Sequence, residues 1–242
     1  MTGSLPGLVQ DARELLSHGD VRLLGLMPFA SNYTFLTEVS DGARSVLAVY
    51  KPRRGETPLW DFPEGTLCQR EVAAYRLSLA LGWPSVPPTI LRDGPHGPGA
   101  LQLFISADLQ EHFFTMRDEG RDDFRSIAAF DVIANNADRK GGHCLRAFDG
   151  TIWVVDHGVC FHSEPKLRTV IWDFAGDPVP EQQLEDIGRI ASELRSGALG
   201  RDLASLLTKA EVETAARRAH VLARAGRFPA PTGERPYPWP PV

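Results

Sequence analysis

The sequence predicts a two-lobed α+β fold, with a strand-rich first half followed by a helical second half. Alternating and apolar runs in the first half predict three strands, over 21–29, 33–39 and 45–50. The turn Ser40-Asp41-Gly42 has the composition of a hairpin turn between the last two of them. Together these patterns predict an antiparallel sheet near the start of the chain.

Helical periodicity marks the other elements. Apolar spacing predicts a short helix over 8–16 and a longer one over 67–81, which Gly82 ends. The second half carries a predicted helix over 122–136, a short hairpin and a helical stretch over 180–226. The stretch 84–99 is rich in Pro and Gly, and it predicts mostly loop, with a candidate short strand over 89–91, before a strand over 100–105.

This order of elements predicts three segments. Residues 1–106 form the strand-rich lobe, 107–228 the helical lobe, and 229–242 a proline-rich tail with six prolines. Pro removes backbone donors, so the tail is expected to be an extended strap packed on the domain or a disordered segment. An intramolecular clamp is the favoured interpretation, with a polyproline ligand for a partner as the alternative.

Composition argues against several classes of function. The 242 residues carry a formal net charge of −5, so no bulk field favours nucleic acid or an anionic membrane. No apolar run reaches the roughly 20 residues that span a bilayer, and the first residues lack the pattern of a secretion signal. The three cysteines are far apart and form no metal-binding pair. We therefore expect a cytoplasmic protein without membrane insertion.

Two acidic residues flank the predicted short hairpin. Asp138 follows the predicted helix 122–136, and Asp156 leaves an apolar strand two residues before Gly158. Phosphoryl transfer needs one carboxylate to orient or deprotonate the acceptor and another to hold magnesium on the phosphates. The pair therefore predicts a phosphotransferase site, whereas the alternative is two surface turns that happen to carry Asp.

The first half supplies groups that suit the same chemistry. Lys51 ends an apolar strand, where its ammonium suits nucleotide phosphates, and Glu71 on the following helix is placed to hold it. The turn between the first two strands includes Ser31 and Asn32, and its backbone N–H groups are candidates for covering phosphates. This turn contains no glycine.

These motifs resemble a known superfamily. The run from Asn135 to Arg139, the run Val155-Asp156-His157-Gly158 and the upstream Tyr50-Lys51-Pro52 are similar to the phosphatidylinositol 3- and 4-kinase-like superfamily, with its HipA-type and secreted Golgi casein kinase-type relatives. The chain resembles most an actinobacterial family distantly similar to those lipid kinases. The resemblance implies a protein-kinase-like (phosphatidylinositol 3/4-kinase-like) fold that binds ATP with magnesium or manganese.

The resemblance also implies roles for individual residues. Asp138 would orient or deprotonate the acceptor beside Arg139 and Lys140, and Asp156 would bind the metal. Lys51 would contact phosphates with Glu71 holding it. The adenine-facing linker would comprise Leu103, Phe104 and Ile105.

Two positions depart from the pattern of that superfamily. His143 stands where many relatives carry a metal-binding Asn, and Lys140 stands where relatives often carry His. Imidazole is a poorer ligand for hard magnesium than an amide oxygen, so His143 implies manganese binding, phosphate binding when protonated, or lost activity. A transition-metal site built from His143, His157 and His162 is a further alternative, although their spacing matches no zinc pattern.

The expected function is an ATP- and magnesium-dependent phosphotransferase with an unknown acceptor, a protein Ser/Thr or a small molecule before a lipid. Lipid is the least favoured because no basic membrane-docking run is present. Two alternatives stay open: nucleotidyl transfer (AMPylation) on the same fold, and a non-catalytic nucleotide-binding regulator.

Overall fold

A computed structural model describes residues 5–28, 32–120, 122–233 and 235–242, with side chains from residue 10 onward. The first part forms a five-stranded antiparallel sheet in the order β1-β2-β3-β5-β4. Its strands are β1 (Asp20–Leu26), β2 (Phe35–Ser40), β3 (Ser45–Pro52), β4 (Thr89–Gly94) and β5 (Gly97–Leu103). Two helices accompany the sheet, α1 (Leu5–His18) and α2 (Leu67–Leu81).

The second part is mainly helical. Its helices are α3 (Phe113–Met116), α4 (Asp123–Ala134), α5 (Glu181–Ser196), α6 (Ala198–Leu203) and α7 (Lys209–Ala225). A two-stranded hairpin lies between α4 and α5, formed by β6 (Cys144–Arg146) and β7 (Ile152–Val154). The predicted lobe boundary after residue 106 falls between β5 and α3, and it stays a prediction.

The stretch 84–99 is more ordered than its composition predicts. Instead of mostly loop, β4 and β5 form a hairpin paired from Thr89 to Gly94. The glycines serve the packing of Tyr50, because a Cβ at Gly94 or Gly99 would lie 2.7 or 2.8 Å from its ring. Glycine here therefore marks a close approach between strand and ring rather than a break in the sheet.

Helix α2 is held at both ends. Before its first turn, the Glu56 carboxylate accepts the backbone N–H groups of Leu67 (3.0 Å) and Cys68 (2.8 Å), which have no partner within the helix. At the other end, Gly82 adopts φ 86° and donates its N–H to Ser78, as its position after the apolar pattern predicts. The helix that carries Glu71 therefore has fixed limits.

Two apolar cores result. The smaller one lies between α1 and the sheet and includes Leu16, Val39 and Tyr50. The larger one joins the buried face of α2 to α4, α5 and α7, with Phe130, Ile190 and Ala215 fully buried. Because α2 packs into this larger core, the helix beside the sheet is part of the helical layer as well.

Candidate active site

The site lies where β3, α2 and the β6–β7 hairpin meet. Lys51 on β3 places its ammonium against a carboxylate oxygen of Glu71 on α2, and 3.0 Å from Asp156 Oδ1. The other Glu71 oxygen accepts the backbone N–H of His157 at 3.0 Å. Glu71 therefore fixes both the lysine and the backbone beside Asp156.

Electrostatics keep Lys51 and Asp156 charged. The ammonium of Lys51 holds the pKa of Asp156 well below its usual range. Burial by itself lowers the pKa of Lys51, but Asp156 and Glu71 outweigh it and raise that pKa. Burial raises the pKa of Glu71, against the pull of Lys51. A cation of fixed position and a carboxylate that stays ionised are therefore present at this point.

The backbone of Asp156 is strained. Its φ is +62°, a left-handed conformation that is unusual for a residue other than Gly. Such conformations persist where the surroundings over-determine them, and they cluster at functional sites. Here the neighbouring His157 N–H is bound by Glu71, which holds the turn while the Asp156 side chain stays 53% exposed.

Asp138 lies on the loop that follows α4. Helix α4 ends at Asn135 with φ 53°, and the next residue, Asn136, accepts the Asp138 backbone N–H on its side-chain oxygen at 3.0 Å. Lys140 Nζ lies 3.5 Å from Asp138 Oδ2. Burial raises the pKa of Asp138 and so does the nearby charge of Asp156, while Lys140 opposes them. The raised pKa increases the proton affinity of the Asp138 carboxylate, as a general base requires.

His143 lies on the other side of Asp156. Its Nε2 is 3.4 Å from Asp156 Oδ2, and its Nδ1 accepts the backbone N–H of Lys140 at 3.3 Å. Burial lowers the pKa of His143 to about 4, although Asp156 acts in the opposite sense. The neutral ring therefore carries its proton on Nε2, directed at Asp156.

The Arg139 side chain does not reach the surface beside Asp138 and Asp156. Its side chain is fully buried and binds Asp131 of α4 with its Nε 3.0 Å from Oδ2 and its Nη2 3.0 Å from Oδ1. It also donates to the Val155 carbonyl (2.9 Å) and lies 2.7 Å from His157 Nε2. The expectation that Arg139 works beside Asp138 on the substrate does not fit this geometry, because Asp131 draws the guanidinium into the core.

The remaining predicted residues lie in the first part of the chain. The side chain of Asn32 accepts the Thr57 backbone N–H at 2.7 Å, which ties the turn to the segment after β3. Ser31 lies outside the described residues. At the end of β5 and in the linker that follows it, Leu103 and Phe104 donate their N–H groups to backbone carbonyls. The Ile105 N–H has no acceptor among the described residues.

The donor set suits a metal–nucleotide complex. The structure describes no group of three or more His, Cys, Asp or Glu side chains arranged to hold a metal ion, over the residues that it covers. Magnesium commonly takes one or two protein carboxylates and completes its shell with phosphate oxygens and water. Asp156 fits that requirement.

Residues that the sequence did not single out support the site. Asp131 holds Arg139, the Asn136 side chain holds the Asp138 loop, and Arg70 ties α2 to α7 by an ion pair with Glu211 at 2.6 Å. A signal for Asp131 was available, since it occupies the apolar face of α4 four residues after Ile127. Arg70 and Glu211 are 141 residues apart, so no local pattern joins them.

Comparisons with solved structures place the fold. The chain is similar to the Golgi casein kinase with Mn/ADP bound, with a TM-score of 0.58 and 14% identity over 91% of this chain and 76% of that one. It is also similar to the Helicobacter pylori proinflammatory kinase CtkA, with a TM-score of 0.51 and 12% identity over 87% and 93% of the two chains. The kinase-like two-lobed fold is therefore confirmed, while the link to phosphatidylinositol kinases stays a prediction.

Sequence comparison gives the family. No family model matches the chain. Over the residues that the structure describes, no helix is both long and apolar enough to span a bilayer. The chain is 42% identical over 268 residues to protein Rv2133c of Mycobacterium tuberculosis, with 96% of each protein covered. The chain belongs to the family of protein Rv2133c.

Proposed function

We propose that the protein is a phosphotransferase that uses ATP with magnesium or manganese. The observation that carries the proposal is the Lys51–Glu71–Asp156 triad, which joins the sheet, α2 and the hairpin at one point. A fixed cation beside a carboxylate that stays ionised is what a metal-bound nucleotide phosphate requires. The kinase-like fold and the Mn/ADP bound by the Golgi casein kinase support the same interpretation.

The nucleotide would lie between the linker after β5 and the triad. The N–H of Ile105, which has no acceptor among the described residues, would donate to the adenine edge, beside Leu103 and Phe104. At the other end, Lys51 would bind phosphate oxygens. Ser31 and Asn32 belong to the turn that would cover them.

Asp156 would hold the metal, and the bound metal would offset the negative charge of the transferring phosphoryl group. Asp138 would accept the proton of the acceptor hydroxyl, because burial has raised its pKa. Lys140 lies within reach of Asp138 and adds positive charge beside the phosphoryl group. We assign His143 as a hydrogen-bond donor to Asp156, since its Nε2 carries the proton and its Nδ1 is occupied.

Arg139 acts in this proposal through position alone. It binds Asp131 and the Val155 carbonyl, and so connects α4 to the segment after β7 that carries Asp156. This contact fixes the separation between the two carboxylate-bearing segments.

Label transfer from ATP tests the proposal. Wild type, Asp138→Asn and Asp156→Asn are incubated with ATP labelled at the γ- or α-phosphate, with magnesium, manganese or EDTA. Asp149→Asn is the matched control, because Asp149 is an exposed carboxylate on the turn of the same hairpin. We expect Asp138→Asn to lower turnover by roughly 10²–10⁴-fold while nucleotide affinity is kept.

Each outcome separates the candidate functions. Transfer of γ-label supports a phosphotransferase, whereas transfer of α-label shows nucleotidyl transfer. Binding of nucleotide without any ATP turnover in wild type would instead favour a regulator, for which the replacement of a metal-binding Asn by His143 is the motivating observation. Equal turnover in Asp138→Asn and in the control would contradict the assignment of Asp138.

A further inference from the structure

The tail forms a strap beside the Asp138 loop. This strap, residues 235–242, accepts the Gly141 N–H on the Pro241 carbonyl at 2.7 Å. Its Pro236 carbonyl accepts the Thr169 N–H (3.1 Å) and the Trp172 indole N–H (3.2 Å). The strap therefore binds both the loop that carries Asp138 and the segment 168–172.

Glycine permits the close approach of the strap. A Cβ on Gly141 would lie 3.0 Å from the Phe114 ring and 3.5 Å from the Pro241 carbonyl oxygen. Gly141 follows Asp138 by three residues, so the strap contacts the Asp138 loop three residues after the proposed base. The clamp predicted from the prolines is present as a contact with this loop.

The backbone N–H groups of residues 168–171 are already paired. The backbone N–H groups of Arg168, Thr169 and Val170 donate to the carbonyls of Asn136, Pro236 and Arg139. Ile171 donates its N–H to the Thr169 hydroxyl at 3.0 Å.

The strap offers few backbone donors to an extended peptide. Four of its eight residues are prolines, which lack backbone N–H groups. Peptides that add a strand to a protein need a row of unpaired backbone groups, so neither segment offers a peptide acceptor a place to pair.

The segment 168–172 instead carries a cationic side chain, that of Arg168. Arg168 is exposed, and among the described residues no carboxylate forms an ion pair with it. Its backbone is fixed on both sides to the Asp138 loop, with N–H to Asn136 at 2.9 Å and carbonyl to the Arg139 N–H at 3.0 Å. Its charge acts on Asp138 together with that of Lys140. Arg139 pairs with Thr169 in a parallel bridge, so the preceding residues Asp138 and Arg168 are neighbours and positive charge lies beside the proposed base, in a protein of net charge −5.

We propose that the acceptor is a small molecule that carries its hydroxyl near an anionic group, a carboxylate or a phosphate, and that Arg168 binds this anion. This inference rests on the proposed phosphotransferase function. Arginine suits the role because its planar guanidinium binds carboxylate and phosphate oxygens in a bidentate manner. The strap lies against the Asp138 loop, at the edge of the acceptor site.

The reaction balances with ATP as the only co-reactant. The acceptor oxygen forms a bond to the γ-phosphorus while the bond from that phosphorus to the β–γ bridging oxygen breaks. The hydroxyl proton passes to Asp138, and ADP leaves with the bridging oxygen. Arg168 takes no part in the bond changes and holds the acceptor in line.

Calorimetry on the full chain tests the anion site without knowledge of the acceptor. The protein is saturated with a non-hydrolysable ATP analogue and magnesium, so that the γ-phosphate position is filled, and is then titrated with inorganic phosphate or with succinate. The variants are Arg168→Gln, Arg168→Lys and Arg195→Gln. Arg195 is an exposed arginine on α5 and serves as the matched control.

We expect wild type and Arg195→Gln to bind one or both anions, Arg168→Gln to lose at least about tenfold in affinity, and Arg168→Lys to lose less. Absence of anion binding in wild type, or equal binding in Arg168→Gln, overturns the proposal. Failure of the ATP analogue itself to bind is a separate result, and it contradicts the proposed function. The two anions distinguish a phosphate group from a carboxylate group in the acceptor.

Removal of the strap tests whether peptides are acceptors. A chain ending at residue 234 and the full chain are compared for transfer of γ-label to Ser/Thr-containing peptides. We expect neither to label peptides. Labelling by the full chain, or by the shortened chain alone, overturns the proposal, and the second result would show that the strap is an autoinhibitory segment of a protein kinase.

Discussion

At the scale of single residues, burial and pairing separate the groups proposed to act on substrate from those that hold the site. The side chains of Asp138 and Asp156 are partly exposed, whereas Arg139 is fully buried against Asp131. An ion pair in the core is costly to break, since the remaining partner stays as an uncompensated buried charge. The pair Asp131–Arg139 is therefore a structural requirement of the site.

Replacement of Asp131 by Asn tests this distinction. It keeps the shape of the side chain but removes the charge that pairs with Arg139, so we expect the free energy of unfolding to fall by about 3–5 kcal/mol in urea denaturation. The control is Arg22→Gln, which breaks the exposed Arg22–Glu38 pair and should cost no more than about 1 kcal/mol. Equal losses in the two variants would contradict the account of Arg139.

At the scale of elements, α2 is tied to the helical part as firmly as to the sheet. Arg70 is 1% exposed, donates to Glu211 of α7 at 2.6 Å and to the Cys160 carbonyl at 2.7 Å, and stacks over the Phe62 ring. Glu211 in turn accepts the N–H and hydroxyl of Thr208 at the start of α7. Since Glu71 follows Arg70 directly, this anchor holds the triad in place.

The pH dependence of stability reports on this anchor. Burial by itself raises the pKa of Glu211, but Arg70 and Thr208 outweigh it and the pKa is lowered. A carboxylate with a lowered pKa in the folded state stabilises it above the ordinary value of about 4.3, and this contribution is lost as the pH falls below that value. We expect Glu211→Gln to destabilise the protein at pH 7 and to differ less from wild type near pH 4, in urea unfolding. A difference that does not change with pH would contradict the charged pairing.

The local elements of the site could be predicted from sequence, and their long-range partners could not. Lys51 near the end of a strand and Asp156 two residues before a glycine carry local signals, and the structure brings them together at 3.0 Å. The anchor between Arg70 and Glu211 has no such signal, because each residue alone has the pattern of an ordinary charged helix position. The strands β4 and β5 were indicated only in part, over 89–91 and 100–105, because the glycines of their hairpin make room for the Tyr50 ring, a contact across the sheet.

At the scale of the whole molecule, the two parts of the chain share one site. Lys51 comes from the sheet, Asp138 and Asp156 come from loops of the helical part, and α2 packs on both. The strap closes the outer side of the Asp138 loop through Gly141. The fold class followed from the order of strands and helices, whereas the place of the strap depends on contacts more than 60 residues distant in sequence, as between Trp172 and Pro236.

The central claim is that Asp156 holds a metal-bound nucleotide at the site between β3, α2 and the β6–β7 hairpin. Its most direct test is the thermal unfolding of wild type and Asp156→Ala with ATP or GTP, each with magnesium, manganese or EDTA. At nucleotide concentrations of about 100 times Kd, binding stabilises the folded state by roughly 2.7 kcal/mol, which raises Tm by roughly 5–10 °C for a chain of this size. We predict that wild type shows this rise only with metal and that Asp156→Ala loses it. No rise in wild type at millimolar nucleotide, or an equal rise in Asp156→Ala, would contradict the claim.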